Sequence, residues 1–258
     1  MAPSPVEWLG RLVGRDPGAG AQPALASRRK HPAPALAETD LRMAWQLTSL
    51  LLSYPDDRVT ALLPQIREAA TALPDAVGVP LVRLTDHLAE ADARALQSRY
   101  VDTFDTTRKC ALHLTYYAHG DTRKRGIALV QFKQAYRRAG LEIGDDELPD
   151  HLSVVLEFGA TGSVDVAWKL LNDHRSGIEL LQLGLDAKSS PWADAVTALR
   201  ATLPPMSGSQ AEAVSRLLAE GPPDEEVGLD GYALDPRLNP HPADDDLDLS
   251  LDLTGAPR

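Results

Sequence analysis

From residue 40 to residue 220 apolar positions recur three and four apart, with breaks at Pro-Asp pairs, glycines and one Pro-Pro step. That is the pattern of amphipathic helices joined by short loops. In LRMAWQLTSLLL, Leu41, Ala44, Trp45 and Leu52 share a face on which Thr48 is the one hydroxyl, and Thr39 or Asp40 stands where an N-cap belongs. Further helices are expected at about 57–73, 79–91, 92–105, 107–118, 121–139, 149–160, 164–174, 176–187, 190–202 and 209–220. No stretch sustains an alternating period of two and no Asn-Gly turn occurs, so strands are not expected. The absence of a fixed-period repeat argues against a solenoid. The expectation is a single all-α globular domain of about ten helices over residues 39–221.

The flanks differ. Residues 14–38 are rich in Ala, Pro and Gly, so 1–38 reads as a flexible leader, with Trp8 and its apolar neighbours as a short amphipathic stretch inside it. Residues 222–258 carry ten Asp or Glu against two Arg and read as a disordered acidic tail.

Composition narrows the function. A net charge of −11 and a pI near 5.0 argue against a nucleic-acid binder. Cys110 is the only cysteine, so no intrachain disulfide can form and a reducing compartment, the cytoplasm, is expected. No apolar run approaches the roughly 20 residues that span a bilayer. The first residues lack the basic-then-apolar order of a secretory signal, and no apolar segment follows Arg28-Arg29-Lys30 as a twin-arginine signal would require.

Against that acidic background, residues 99–138 hold nine Lys or Arg and only three Asp. On a helix over 121–139, Ala128, Leu129, Phe132, Ala135, Tyr136 and Ala139 fall on the core side, with Arg123, Lys133, Arg137 and Arg138 opposite or flanking. Two positions break the simple pattern. Ile127 and Val130 lie among the cations on the outer face, whereas Arg125 lies with the apolar residues. Asp121, four positions before Arg125, can pair with it or cap the helix, and Gly120 suits a tight turn before it. Apolar side chains ringed by cations make a docking surface for an amphipathic segment.

Catalytic and metal readings are weaker. Cys110, His113 and His119 have metal-ligand flavour, but a structural zinc site takes four ligands and no second cysteine exists. HExxH, GxSxG and phosphate-binding glycine motifs are absent. Asp150 and His151 form no obvious acid–base pair. As neighbours on a helix they would point about 100° apart, and Pro149 and Asp150 suit the first turn of a helix.

Three stretches together carry a resemblance: RYVDTFD at 99–105, LHLTYYAHGDTRKRGIALV at 112–130 and ELPDHLSVVLEF at 147–158. They resemble the respiratory nitrate reductase assembly chaperones, the NarJ or delta-chain family, within the wider TorD/DmsD-like group of redox-enzyme maturation proteins. The matching residues are Tyr100, Phe104 and Asp105; then His119, Gly120, Asp121, Arg123, Arg125 and Gly126; then Glu147 to His151. In the wider group this last motif lies on a connection between helices and is implicated in binding the partner's N-terminal peptide. Lys124, and the leader and tail, depart from the family pattern.

The resemblance implies a cytoplasmic all-helical chaperone with no resident cofactor or metal, not an enzyme and not an integral membrane protein. Its partner would be the catalytic alpha subunit of a respiratory nitrate reductase, held through its N-terminal segment in an apo alpha–beta complex while the molybdenum cofactor is inserted. Molybdenum cofactor biosynthesis proteins would be further partners. The expected partner-binding frame is Tyr100, Phe104, His119, Arg123, Arg125, Ile127, Val130, Tyr136, Glu147, Asp150 and His151, with Gly120, Asp121, Gly126 and Pro149 as structural positions. The alternatives are a metal-dependent helical enzyme using the His and Asp residues, and a general helical adaptor.

Overall fold

The computed structural model describes residues 32–144 and 147–220. Most of the expected leader and the acidic tail therefore lie outside the described residues. Those described form twelve α-helices and no strand. In chain order they are α1 (Glu38–Leu51), α2 (Asp57–Ala61), α3 (Leu63–Thr71), α4 (Asp75–Glu90), α5 (Ala93–Phe104), α6 (Tyr116–His119), α7 (Arg123–Arg138), α8 (Leu152–Thr161), α9 (Val164–Asp173), α10 (Arg175–Ala187), α11 (Ala193–Thr202) and α12 (Gly208–Glu220).

Helix α1 is the hub of the core. Leu41, Ala44, Trp45, Leu51 and Leu52 are buried, and the helix packs on α8, α11 and α4. Its end also explains why two large aromatics sit inside. The last carbonyls of a helix lack intrahelical partners. Here the Trp192 Nε1 donates to Leu51 at 3.2 Å and the Tyr100 hydroxyl to Leu52 at 2.8 Å. At the opposite end Arg42 donates to the Ala160 carbonyl at 2.9 Å and reaches those of Gly159 and Gly162, so a cation closes the C-terminus of α8. Trp45 stacks on Trp168 and donates to Thr202 Oγ1 at 3.1 Å.

Several boundaries differ from the sequence expectation for physical reasons. Helix α1 begins at Glu38 behind Ala37, whose side chain cannot cap, so Thr39 and Asp40 fall in the first turn. The expected 57–73 helix is two: Asp56 caps α2 by accepting from the Arg58 and Val59 amides, and α3 restarts with Pro64 in its first turn, where a missing N–H costs little. Helix α4 begins at Asp75 and runs through Pro80. Residues 32–37 are not wholly free, because Trp168 Nε1 donates to the Pro32 carbonyl at 2.9 Å.

The largest departure is at 107–118, expected as one helix. Only a 3-10 turn (Arg108–Cys110) and the single turn of α6 form there. Between them His113 makes an isolated antiparallel bridge with His151, the Leu114 amide donates to the Asp150 carbonyl at 3.0 Å and the Leu152 amide to the Leu112 carbonyl at 2.7 Å. Backbone groups that would close a helix are spent on the segment before α8.

Gly159 sets how closely α1 and α8 approach. A Cβ there would lie 2.4 Å from Trp45 Cε3 and 2.7 Å from the Ala167 Cβ, so a larger residue must move the core tryptophan. Gly159→Ala is expected to destabilise the fold by about 1–3 kcal/mol in urea unfolding. Gly126→Ala, where nothing lies within 4 Å, should instead stabilise by about 0.5–1 kcal/mol.

Candidate partner-binding surface

The site is built around one carboxylate. Asp150 is fully buried, in the turn just before α8. Its Oδ2 accepts from the Thr115 amide at 3.2 Å and from the Thr115 hydroxyl. His113 Nδ1 stands 3.3 Å from Oδ1, and Arg125 Nη2 stands 3.8 Å from Oδ2. Burial opposes ionisation, but His113, Thr115 and Arg125 outweigh it and hold the carboxyl below its ordinary range. The network is incompletely used: His113 Nδ1, Asp150 Oδ1, and Arg125 Nε and Nη2 are buried without a well-formed hydrogen bond.

The approach to α7 follows from the local sequence. Gly120 has φ +55°, a conformation that glycine adopts without strain, and its amide closes α6 on the Tyr116 carbonyl at 2.7 Å. The chain then turns through Asp121 and Thr122 into α7. Asp121 pairs with Arg125 at 3.0 Å and does not cap; Thr122 is the cap residue, and its hydroxyl donates back to the His119 carbonyl. Asp121 is exposed whereas Arg125 is only 17% exposed, so Arg125 bridges a surface carboxylate and a buried one.

Ala128, Phe132 and Tyr136 bury the inner face of α7. The Tyr136 hydroxyl donates to the Pro149 carbonyl at 2.7 Å, and its ring lies 4.5 Å from that of Phe158. The outer face carries Ile127 at 64% and Val130 at 54% exposure, with Arg123, Lys124, Arg137 and Arg138 exposed around them.

The structure brings His119, Arg125, Tyr136, Asp150 and His151 into one region beneath α7, and leaves Arg123, Ile127 and Val130 on its outer face. Tyr100 and Phe104 require correction as surface anchors. Both are buried against Trp192, with ring centroids 5.5 and 5.4 Å from it. Tyr136 is likewise a core residue with no exposed surface. Asp150 and Pro149 do not form the first turn of a helix, which starts at Leu152. Gly126 sits exposed in α7 with open space around it, so nothing in the fold demands glycine there.

Four contributors escaped the sequence reading: Thr115, His174, Glu157, and His113 as a partner of Asp150. A signal for His113 and Thr115 existed in the short Leu112-His113-Leu114-Thr115 alternation, whose leucines are buried. His174 lies 5.0 Å from the Phe132 ring, and burial lowers its pKa. Glu157, on α8, is pushed up to about 7 by burial and then by the charge of Glu147, which is exposed. His151 is pulled down to about 4 by burial, with His113 adding to the effect and Asp150 opposing it.

Among the described residues no three His, Cys, Asp or Glu side chains converge as a metal site. No helix among them is long and apolar enough to cross a membrane.

The fold and this surface define an all-α domain organised around a buried ion hub under one cationic, partly apolar helix. Residues 70–198 match the family model described as nitrate reductase delta subunit, and the chain belongs to that family. Among its relatives, the nitrate reductase-like protein NarX of Mycobacterium tuberculosis is 37% identical over 161 residues, which is 61% of this chain but 24% of that protein. The chain thus spans about a quarter of that relative. The probable nitrate reductase molybdenum cofactor assembly chaperone NarJ of Bacillus subtilis is 31% identical over 64% of this chain and 90% of its own length. The NarJ of Escherichia coli K12, a nitrate reductase molybdenum cofactor assembly chaperone, is 32% identical over 57% of this chain and 64% of its own.

The two shifted groups act on stability with opposite signs. His151 favours folding above its ordinary value of 6.5 and loses that support as pH falls toward about 4. Glu157 binds its proton more tightly in the folded chain, so its support is full below 4.5 and is lost as pH rises to about 7. Glu157→Gln should therefore raise stability at about pH 8, by on the order of 1 kcal/mol, more than at about pH 5. Urea unfolding at the two values measures this; an unchanged pH profile contradicts it.

Proposed function

We propose that this chain is a dedicated assembly chaperone, not an enzyme, for a molybdenum-containing respiratory nitrate reductase. On this reading it acts in the cytoplasm and binds the N-terminal segment of the apo catalytic subunit, alone or already joined to its beta subunit. It keeps that partner open while the molybdenum cofactor, as cargo, is inserted by the cofactor's own biosynthetic proteins. The family and the printed names of the Bacillus subtilis and Escherichia coli relatives support the class of function.

The observation that carries the binding mode is the outer face of α7. Two aliphatic side chains, Ile127 and Val130, are more than half exposed there. Placing them in water is unfavourable unless a partner covers them. The surrounding guanidinium and ammonium groups would orient a segment whose apolar stripe is flanked by acidic or polar residues. Arg125 and Asp150 hold the helix in place from beneath. Glu147 and His151 lie on the connection leading into α8, where an incoming peptide could reach them.

Titration of the full chain with a synthetic peptide copying the catalytic subunit's first residues tests this. Ile127→Asp with Val130→Asp should weaken binding at least about ten-fold, a loss of about 1.4 kcal/mol, with circular dichroism unchanged. Arg137→Glu with Arg138→Glu should weaken it further at low salt than at high salt. Wild-type affinity in the folded double variants would overturn the surface assignment.

A further inference from the structure

Away from α7, helix α5 and the turn between α10 and α11 flank a half-open cavity of about 360 Å³, at the lower end of the sizes that small-molecule sites take, roughly 300–1,000 Å³. Its lining includes Arg99, Asp102, Lys188, Ser189 and Ser190. None of these is used by the surface described above.

Three features distinguish the cavity from a solvated groove. Lys188 ends α10 and reaches across to α5, donating to the Asp102 carbonyl at 3.1 Å and to Thr107 Oγ1 at 2.7 Å. Those bonds use two of its three ammonium hydrogens and fix the charge at the cavity wall. Arg99 Nη1 lies 3.1 Å from His87 Nε2, which steadies one arm of a group that carries five donors. Ser190 is 8% exposed, yet its hydroxyl has no hydrogen-bond partner, an arrangement folded proteins rarely leave standing.

The turn itself supports the same reading. Ser189 has φ +49°, the only non-glycine described residue in that region. It closes α10 through its amide to Asp186 and that of Ser190 to Leu185, both at 2.9 Å. Glycine would adopt this conformation without strain. A serine there places a hydroxyl on the cavity wall instead.

We propose that this cavity is a binding site for a small oxyanion-bearing metabolite, a phosphate monoester or carboxylate with a neighbouring hydroxyl or amine. The anion sits between Lys188 and Arg99 and accepts from the Ser189 and Ser190 hydroxyls. Asp102 reduces the positive charge of the wall and accepts from the ligand's neighbouring hydroxyl or amine. A bare multivalent anion is thus a poorer fit than an anion with a donor beside it. The site stands independently of the chaperone reading.

Calorimetric titration of the full chain with inorganic phosphate and with sn-glycerol 3-phosphate tests the proposal. Both should bind saturably and compete, with the glycerol ester tighter by about five-fold. Lys188→Gln and, separately, Arg99→Gln should weaken both ligands about ten-fold with the helical spectrum unchanged. Asp102→Asn should abolish only the advantage of the ester. Absence of saturable binding, or binding indifferent to both cation substitutions, overturns the site. An ester advantage that survives Asp102→Asn overturns the role given to Asp102.

Discussion

A carboxylate with no exposed surface must keep its charge compensated, and Asp150 imposes that requirement on the centre of this molecule. Removing an ion from water costs several kcal/mol, recovered only by close donors and opposite charge. The compensation comes from two stretches, Thr115 and His113 before α6 and Arg125 in the first turn of α7, while the backbone bridge between 112–114 and 150–152 holds the first of them against the carboxylate's own segment. Satisfying one side chain therefore brings together segments about 35 residues apart in the chain. It also explains why the chain is non-helical at residues 111–113 in an otherwise helical domain.

The placement of α7 follows. That helix is anchored from below by Arg125 and along its length by Ala128, Phe132 and Tyr136, and the Tyr136 hydroxyl is tied to the carbonyl next to Asp150. With the inner face committed, Ile127 and Val130 cannot turn inward without drawing Arg125 or Phe132 into water. Their exposure is thus a consequence of the anchoring, not of a weak core. The surface offered to a partner and the ion hub are two sides of one element.

The helical class and most helix centres were legible because a period near 3.6 survives tertiary context. The Asp121–Arg125 pair and the outward placement of Ile127 and Val130 were legible for the same reason. Periodicity placed Tyr136 on the core side, where it lies, but Tyr100 and Phe104 entered the partner-binding frame through the family resemblance, and a motif does not report what covers its side chains. Trp192, almost a hundred residues from Tyr100, supplies that cover. Thr115 and His113 were missed as partners of Asp150 because a long-range carboxylate contact leaves no local trace. Their four-residue alternation is too short to outweigh the surrounding helical pattern. Glu157 was invisible in its ion chemistry because burial, the larger cause of its shift, is a property of the fold.

Amide hydrogen exchange on the Asp150→Asn chain tests the central dependence most directly. The substitution keeps the shape and removes the charge. If the hub positions α6 and α7, protection should fall selectively between residues 112 and 138, while α1, α10 and α11 keep theirs. Unchanged protection across that segment, or an equal loss throughout the domain, would contradict the account.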